Sequence, residues 1–242
     1  MKRRRRVALA VMAAGMLLPV ALLVYDHFYR GPQDLPWTPL DLGDPIGWFT
    51  GRKLAGLHGE FPRCRALLDR AGVRYRVLPK HADASCGYDD VVRFAPGGSR
   101  QIGFKPVGVG VACPVAAALA KWEWDVVQPA ALRRFGVQVT AIEHFGSYSC
   151  RRMYGRDAEY WSEHAHANAL DVAGFRLSDG TRVTVVRDWG GEGPKAAFLR
   201  DVHDGACRLF ATVLSPDYNA AHRDHLHLDQ AARGAMGWRA CR

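Results

Sequence analysis

Apolar and polar positions change period along this chain, and the changes divide it. Val7 to Tyr25 carries no charged residue, and a helix of that length covers the roughly 30 Å core of a bilayer, so a membrane-spanning helix is expected there. Gly31 to Pro39 is Pro-rich and irregular, the composition of a semi-rigid spacer. Beyond it, Cys64–Ala71 reads as a short helix stopped by Gly72, and Val73–Val77 alternates as a strand, with Val91–Phe94 a second. Pro114 occupies the first turn of a helix whose apolar residues recur at helical spacing over Val115–Val127. Pro129 should break or kink that run, and Ala130–Phe135 continues it to Gly136. Val137–His144 is strand-like. Ala169–Phe175 is another strand, turning at Ser178-Asp179-Gly180 into Arg182–Val186. Pro194 opens the longest helix, about Lys195–Thr212, with Phe198, Val202, Leu209 and Phe210 on its buried face. A loop after Ser215-Pro216 then feeds the strand His225–Leu228. Strands with helices to one side predict an α+β fold, a small antiparallel sheet with helices packed on one side. Three parts are expected: residues 1–25, a basic head and anchor; 26–53, the spacer; and 54–242, the folded domain.

Charge sharpens the first part. The chain carries a formal +9, five of it from Lys2 and Arg3 to Arg6, so the remainder is close to +4 and only mildly basic. That distribution, with no interleaving of aromatic and basic residues on a binding face, excludes a nucleic-acid partner. A basic cluster before an apolar run keeps the N-terminus cytoplasmic. A cleaved signal peptide is the rival, but the run is long for one and ends in Leu23-Val24-Tyr25-Asp26 without a small-x-small site. The expectation is a periplasmic body held by an uncleaved helix in the inner membrane. Six cysteines agree with export, since an even count in an oxidising compartment forms disulfides. The pairing is not derivable from spacing, and Cys150–Cys207 is the pair expected.

Candidate chemistry sits in two segments. Ser162 to Asp171 holds His164, His166 and Asp171 among small apolar residues, and His222-Arg223-Asp224-His225-Leu226-His227 adds three imidazoles. His225 and His227 stand at the i, i+2 spacing that shares one face of a strand. Neutral imidazoles with a carboxylate and no nearby cysteine form a common set around a catalytic Zn²⁺ that keeps one position for water. His164, Asp171 and His227 are the expected ligands, Asp171 on a strand and His164 from a loop. His225 is the expected proton acceptor, His222 an alternative proton carrier, and Asp224 ranks below His225 as a base because its side chain is short. Arg151 is the candidate for holding a substrate carboxylate or a developing oxyanion. His166 reads as solvent-facing. Trp122 and Trp124 read as core residues rather than a sugar platform.

Ser-x-His-(x)6-Asp followed far downstream by His-x-His resembles the zinc signature of the LAS metallopeptidases. The spacing His222-x-x-His225-x-His227 is similar to that of the penicillin-insensitive murein endopeptidases. More closely, Ser147-Tyr148-Ser149-Cys150-Arg151, Ser162-Glu163-His164-Ala165, Asn168-Ala169-Leu170-Asp171, Tyr218-Asn219-Ala220 and Asp224 to Asp229 resemble the bacterial extensin-like C-terminal family, from about Leu54 onward. The resemblance implies a LAS/hedgehog-like fold and a zinc peptidase that cuts peptidoglycan stem peptides, as a D,D- or L,D-endopeptidase or a carboxypeptidase. A zinc-bearing but inactive wall-binding module is the alternative. One departure stands out: the family has glycine where this chain has Ala167. If that position needs positive φ, alanine costs about 1 kcal/mol there.

Overall fold

The computed structural model describes residues 4–5, 12, 15, 17–25, 31–153, 160–234 and 238–242. Helices α1 (Thr50–Ala55) and α2 (Phe61–Arg70) lead into strands β1 (Val73–Val77), β2 (His81–Asp83), β3 (Cys86–Tyr88), β4 (Val91–Gly98), β5 (Gly103–Lys105) and β6 (Val111–Ala112). Helices α3 (Cys113–Trp122) and α4 (Gln128–Phe135) follow, then β7 (Val139–Gly146), β8 (Ala169–Leu177) and β9 (Arg182–Thr184). Helices α5 (Val185–Asp188) and α6 (Pro194–Cys207) precede β10 (Thr212–Leu214), β11 (Leu226–Asp229) and β12 (Ala240–Cys241).

Among the described residues the main sheet has the order β12-β10-β11-β8-β7-β5, with β9 also paired to β8. Strands β1, β4 and β6 make a second sheet, and β2 and β3 a hairpin. The class is α+β, as expected. The main sheet departs from the expected antiparallel one, because β5 runs parallel to β7 and β12 parallel to β10. Both are very short strands whose pairing is set by a neighbour remote in sequence, which local pattern does not report.

Helix α3 is buried along its whole length. Its run of alanines lets neighbours approach on every side, and the bulk is supplied by Trp122. That indole is fully buried, packs on Phe175 of β8 and on Phe210, and donates from Nε1 to the Val202 carbonyl at 2.8 Å. Trp124 donates to the Ser99 carbonyl and packs half-buried against the same core. Trp122 is the core residue expected, and it lets an otherwise small-residue helix anchor the sheet, whereas Trp124 lies at the core's edge.

At Pro129 the run is not broken, but its regular α-helical geometry is interrupted immediately before the proline. A π-helical turn, Glu123–Val127, joins α3 to α4, and Pro129 falls in the first turn of α4, where its missing N–H costs least. Gly205 of α6 makes room for that turn, since a Cβ there would lie 2.2 Å from Val126 Cγ1. Helix α6 starts at Pro194 as expected but ends at Cys207, not Thr212. Thr212 pairs with Asp229 and Ala240, so the sheet takes the end of the apolar pattern from the helix. Leu209 and Phe210 stay fully buried beyond the helix end.

Cys150 does not pair with Cys207. The bridges are Cys64–Cys113, Cys86–Cys150 and Cys207–Cys241, with Cα atoms 6.1, 5.6 and 5.5 Å apart. A bridge needs that approach, and only the folded chain supplies it. From Gly31 on, the expected spacer is packed on the body rather than standing clear of it. Leu40 and Leu42 belong to the core, and Lys121 donates to the Asp44 carbonyl. Of the expected membrane span, Val7 to Tyr25, residues 7–11, 13, 14 and 16 lie outside the described residues. Residues 17–25 are helical and exposed, and among the described residues no helix is long and apolar enough to cross a membrane.

Candidate metal centre

Strands β8 and β11 pair so that His227 stands opposite Asp171. Residues directly opposite in an antiparallel pair share a face with Cβ atoms about 5 Å apart, so the register alone brings this imidazole to this carboxylate. The third group comes from a 3₁₀ turn, Glu163–His166, whose start is capped by Ser162 Oγ accepting from the His164 amide. The turn closes at Ala167, which lies in the left-handed region at φ 52°, ψ 20°. Its carbonyl accepts from the Ala112 amide at 2.8 Å and from Ser147 Oγ at 3.1 Å, which holds the residue in that conformation.

Three atoms then converge. His164 Nε2 is 3.1 Å from Asp171 Oδ1 and 3.2 Å from His227 Nδ1, and His227 Nδ1 is 3.0 Å from Asp171 Oδ1. All three residues are buried. The far nitrogens decide what these atoms carry. His164 Nδ1 lies 2.6 Å from the Ser147 carbonyl, and His227 Nε2 lies 3.0 Å from Asp229 Oδ2. Both partners only accept, so in the neutral rings the protons sit on the far side and two nitrogen lone pairs face a carboxylate oxygen. Three lone-pair donors within hydrogen-bond distance and no proton between them form a place for a cation. The group could hold a metal ion.

The titration of the two partners reports the same demand. Burial alone would raise the Asp171 carboxyl, but the His164 and His227 imidazoles pressed against it favour a negative charge there and hold it well below the usual carboxylate range. Burial alone would lower the His227 imidazole, yet Asp171 and Asp229 on either side hold it up at about 9. Where no metal competes, a proton is held in the cation's place.

Around this triangle stand the other expected residues. His225 precedes β11 rather than lying in it, so the expected shared strand face is not what places it. Its Nε2 is nonetheless 3.5 Å from Asp171 Oδ1, and its Nδ1 donates to Asp224 Oδ1 at 2.9 Å. His222 donates from Nδ1 to Asn219 Oδ1 at 2.7 Å, and its ring lies tilted against His225 and edge-on to His227. Burial, then the neighbouring imidazoles of His225 and His227, lower its pKa to about 4, so it is neutral near pH 7. Arg151 is exposed and near enough to His222 to contribute to that lowering. Phe145 and Tyr218, both exposed, pack on His225 and His222. His166 is exposed and turned away, 3.1 Å from the Gly87 carbonyl, as expected of a solvent-facing residue.

Sequence reasoning missed the partners that set tautomers. Asp229 carried a signal, since it stands two residues after His227 on the same strand face. Asp224, ranked below His225 as a base, accepts from His225 Nδ1 and fixes that ring. The Ser147 carbonyl left no trace, because a backbone acceptor is invisible in side-chain pattern. A second group, His203, Cys207 and Cys241, also has clustered donor atoms. Its cysteines are bridged to each other, so they offer no thiolates.

A family model described as the extensin-like protein C-terminus matches residues 62–242. No curated protein and no solved structure matches the chain.

Proposed function

The chain belongs to the extensin-like C-terminal family, and from that premise and the three-donor centre we propose that it is a zinc-dependent peptidase acting on peptidoglycan stem peptides. The observation that carries the reading is the convergence of His164 Nε2, His227 Nδ1 and Asp171 Oδ1, with an acceptor behind each imidazole, the Ser147 carbonyl and Asp229 Oδ2. Two imidazoles and one carboxylate are a donor set of catalytic zinc that leaves one position free. The motif resemblance to LAS metallopeptidases supports the same class and the same fold.

Bound zinc would act as a Lewis acid that brings the pKa of its water to about 7. The protein's own residues do the rest. With Nδ1 bonded to Asp224, His225 offers Nε2 beside Asp171 as the acceptor of the attacking water's proton, and returns that proton to the departing amine. His222, neutral and fixed by Asn219, stands next to it as a second carrier. Arg151 holds a substrate carboxylate or the tetrahedral oxygen with its guanidinium fork. The export expectation supports a periplasmic position with the uncharged run Val7 to Tyr25 as inner-membrane anchor.

The test is incubation of the detergent-solubilised full chain and zinc with purified cross-linked muropeptides, with products followed by mass spectrometry. Cleavage is expected, lost in His227→Ala together with zinc, and lost in His225→Ala with zinc retained. Product masses name the bond. Zinc bound at one equivalent with no cleavage would replace the peptidase by an inactive wall-binding module.

A further inference from the structure

Two neighbouring hollows beside α1 and the approach to β12, of about 410 and 420 Å³, share the Arg239 side chain in their walls. One also holds Trp48 and Arg208, the other Arg233 and Trp238. Among the described residues neither wall contains an acidic side chain. Arg208 Nη2 donates to the Ile46 carbonyl at 2.8 Å, Arg239 Nη2 to the Cys207 carbonyl at 2.6 Å and the Phe210 carbonyl at 3.1 Å, and Arg233 to the Thr212 hydroxyl. Carbonyl and hydroxyl oxygens hold a guanidinium in place but leave its charge uncancelled. Arg239 lies across Gly51 of α1, where a Cβ would come within 2.5 Å of its Cζ. Burial, and then the Arg208 charge beside it, lower the Arg239 pKa. Like charges held together without a counter-ion are unfavourable until an anion meets them.

Trp48 and Trp238 flank this cluster and are 88% and 70% exposed. Indoles in water beside guanidiniums suit a lipid surface, where the ring enters the interfacial layer and the guanidinium meets phosphate. The chain itself brings such a surface to this face. Trp48 and Phe49 rest on the 3₁₀ turn Pro32–Asp34: the Trp48 amide donates to Asp34 Oδ1 at 2.8 Å and the Phe49 amide to the Gln33 carbonyl at 3.0 Å. Gly31, which opens that turn, stands six residues after Tyr25, at most about 20 Å of extended chain. With Val7 to Tyr25 as the inner-membrane anchor proposed above, the Trp48 face stays within that reach of the lipid headgroups.

We propose that the face carrying Trp48, Arg208, Arg233, Trp238 and Arg239 docks on the bilayer, with its guanidiniums on anionic lipid phosphates and its two indoles in the headgroup layer. This is a contact of the folded body, separate from the expected spanning helix, and it uses none of the residues around His164, Asp171 and His227. The tether argument rests on the anchor reading, whereas the uncancelled charge and the exposed indoles do not. Two attachments, helix and face, hold the metal centre at a fixed height and orientation over the membrane.

Tryptophan fluorescence of the full chain in lipid vesicles tests this. Vesicles of phosphatidylcholine are compared with vesicles in which phosphatidylglycerol replaces part of it, each with and without lipid brominated high on its acyl chains, which quenches indoles at that depth. Quenching is expected to be about twofold deeper in the anionic vesicles and to fall to the neutral level in about 0.5 M salt. The anionic excess should also vanish when Arg208→Gln and Arg233→Gln, both at exposed positions, are combined, and when Trp48→Phe and Trp238→Phe are combined. Equal quenching in the two kinds of vesicle overturns the docking, as does an excess that survives either pair of substitutions. Calorimetric binding of inorganic phosphate without the anionic excess overturns it too and makes the cluster a small-anion site. Alkaline carbonate washing of the same vesicles reads the anchor separately. A chain that is stripped but shows the anionic excess removes the anchor only, and a chain that resists stripping without the excess removes the docking only.

Discussion

At the scale of single residues, the turn that carries His164 closes on Ala167, a non-glycine residue at φ 52°. A Cβ in the left-handed region is penalised by about 1–2 kcal/mol. Ala167→Gly is therefore expected to stabilise the protein by about 1 kcal/mol, a rise of about 2–4 °C in Tm at this chain length. Thermal melts of the two proteins at equal zinc check it, and an unchanged Tm would mean that the buried methyl offsets the strain. Asp229 poses a different test. It accepts from His227 Nε2, and partners of this kind orient a metal-binding ring. Asp229→Asn is expected to lower zinc affinity about 10–100-fold while far-ultraviolet circular dichroism stays unchanged.

Among elements, the register between β8 and β11 makes the centre. A slip of one residue would turn His227 to the opposite face from Asp171. The segment after β7 contributes the Ser147 carbonyl, and the Cys86–Cys150 bridge ties it to β3. Closing a loop of that separation removes about 4 kcal/mol of chain entropy from the unfolded state, and loss of such a bridge typically costs about 2–5 kcal/mol. Replacing both cysteines by serine is expected to lower stability in that range and to weaken zinc binding as the Ser147 carbonyl loosens. Opening Cys207–Cys241 instead should lower stability alone, because its strand and helix ends hold none of the three donors. Denaturant titration with a zinc competition assay separates the two. Equal zinc affinity in both variants would contradict the role given to the bridge.

For the whole molecule, pH and metal act on one proton. The His227 pKa rises from its ordinary 6.5 to about 9 in the fold. A raised pKa stabilises the folded state fully below the ordinary value, and that contribution is lost as pH rises through the folded one. The chelator-treated full chain is therefore expected to lose Tm between pH 6.5 and pH 9, and zinc, which replaces the proton, to restore it. Zinc binding near pH 7 should release about one proton, seen as a dependence of calorimetric heat on buffer ionisation enthalpy. Proton release absent at pH 7, or a metal-free Tm that rises toward pH 9, would contradict the arrangement of His227 between two carboxylates.

The sequence by itself determined what is local. Helical periodicity placed α2, α3 and the start of α6, Gly136 closed α4 in the left-handed conformation, and the donor types and spacings named His164, Asp171 and His227. These follow from backbone preferences and side-chain chemistry within a few residues of one another. Tertiary structure alone decided the rest. It joined α3 to α4 through a π turn because Gly205 gives Val126 room, and it recruited Thr212 to the sheet. It also chose Cys86 as the partner of Cys150 and set the tautomers of His164 and His227 through Ser147 and Asp229. Each of these depends on groups tens of residues apart meeting at contact distance, a consequence of how the whole core packs and not of any window of sequence.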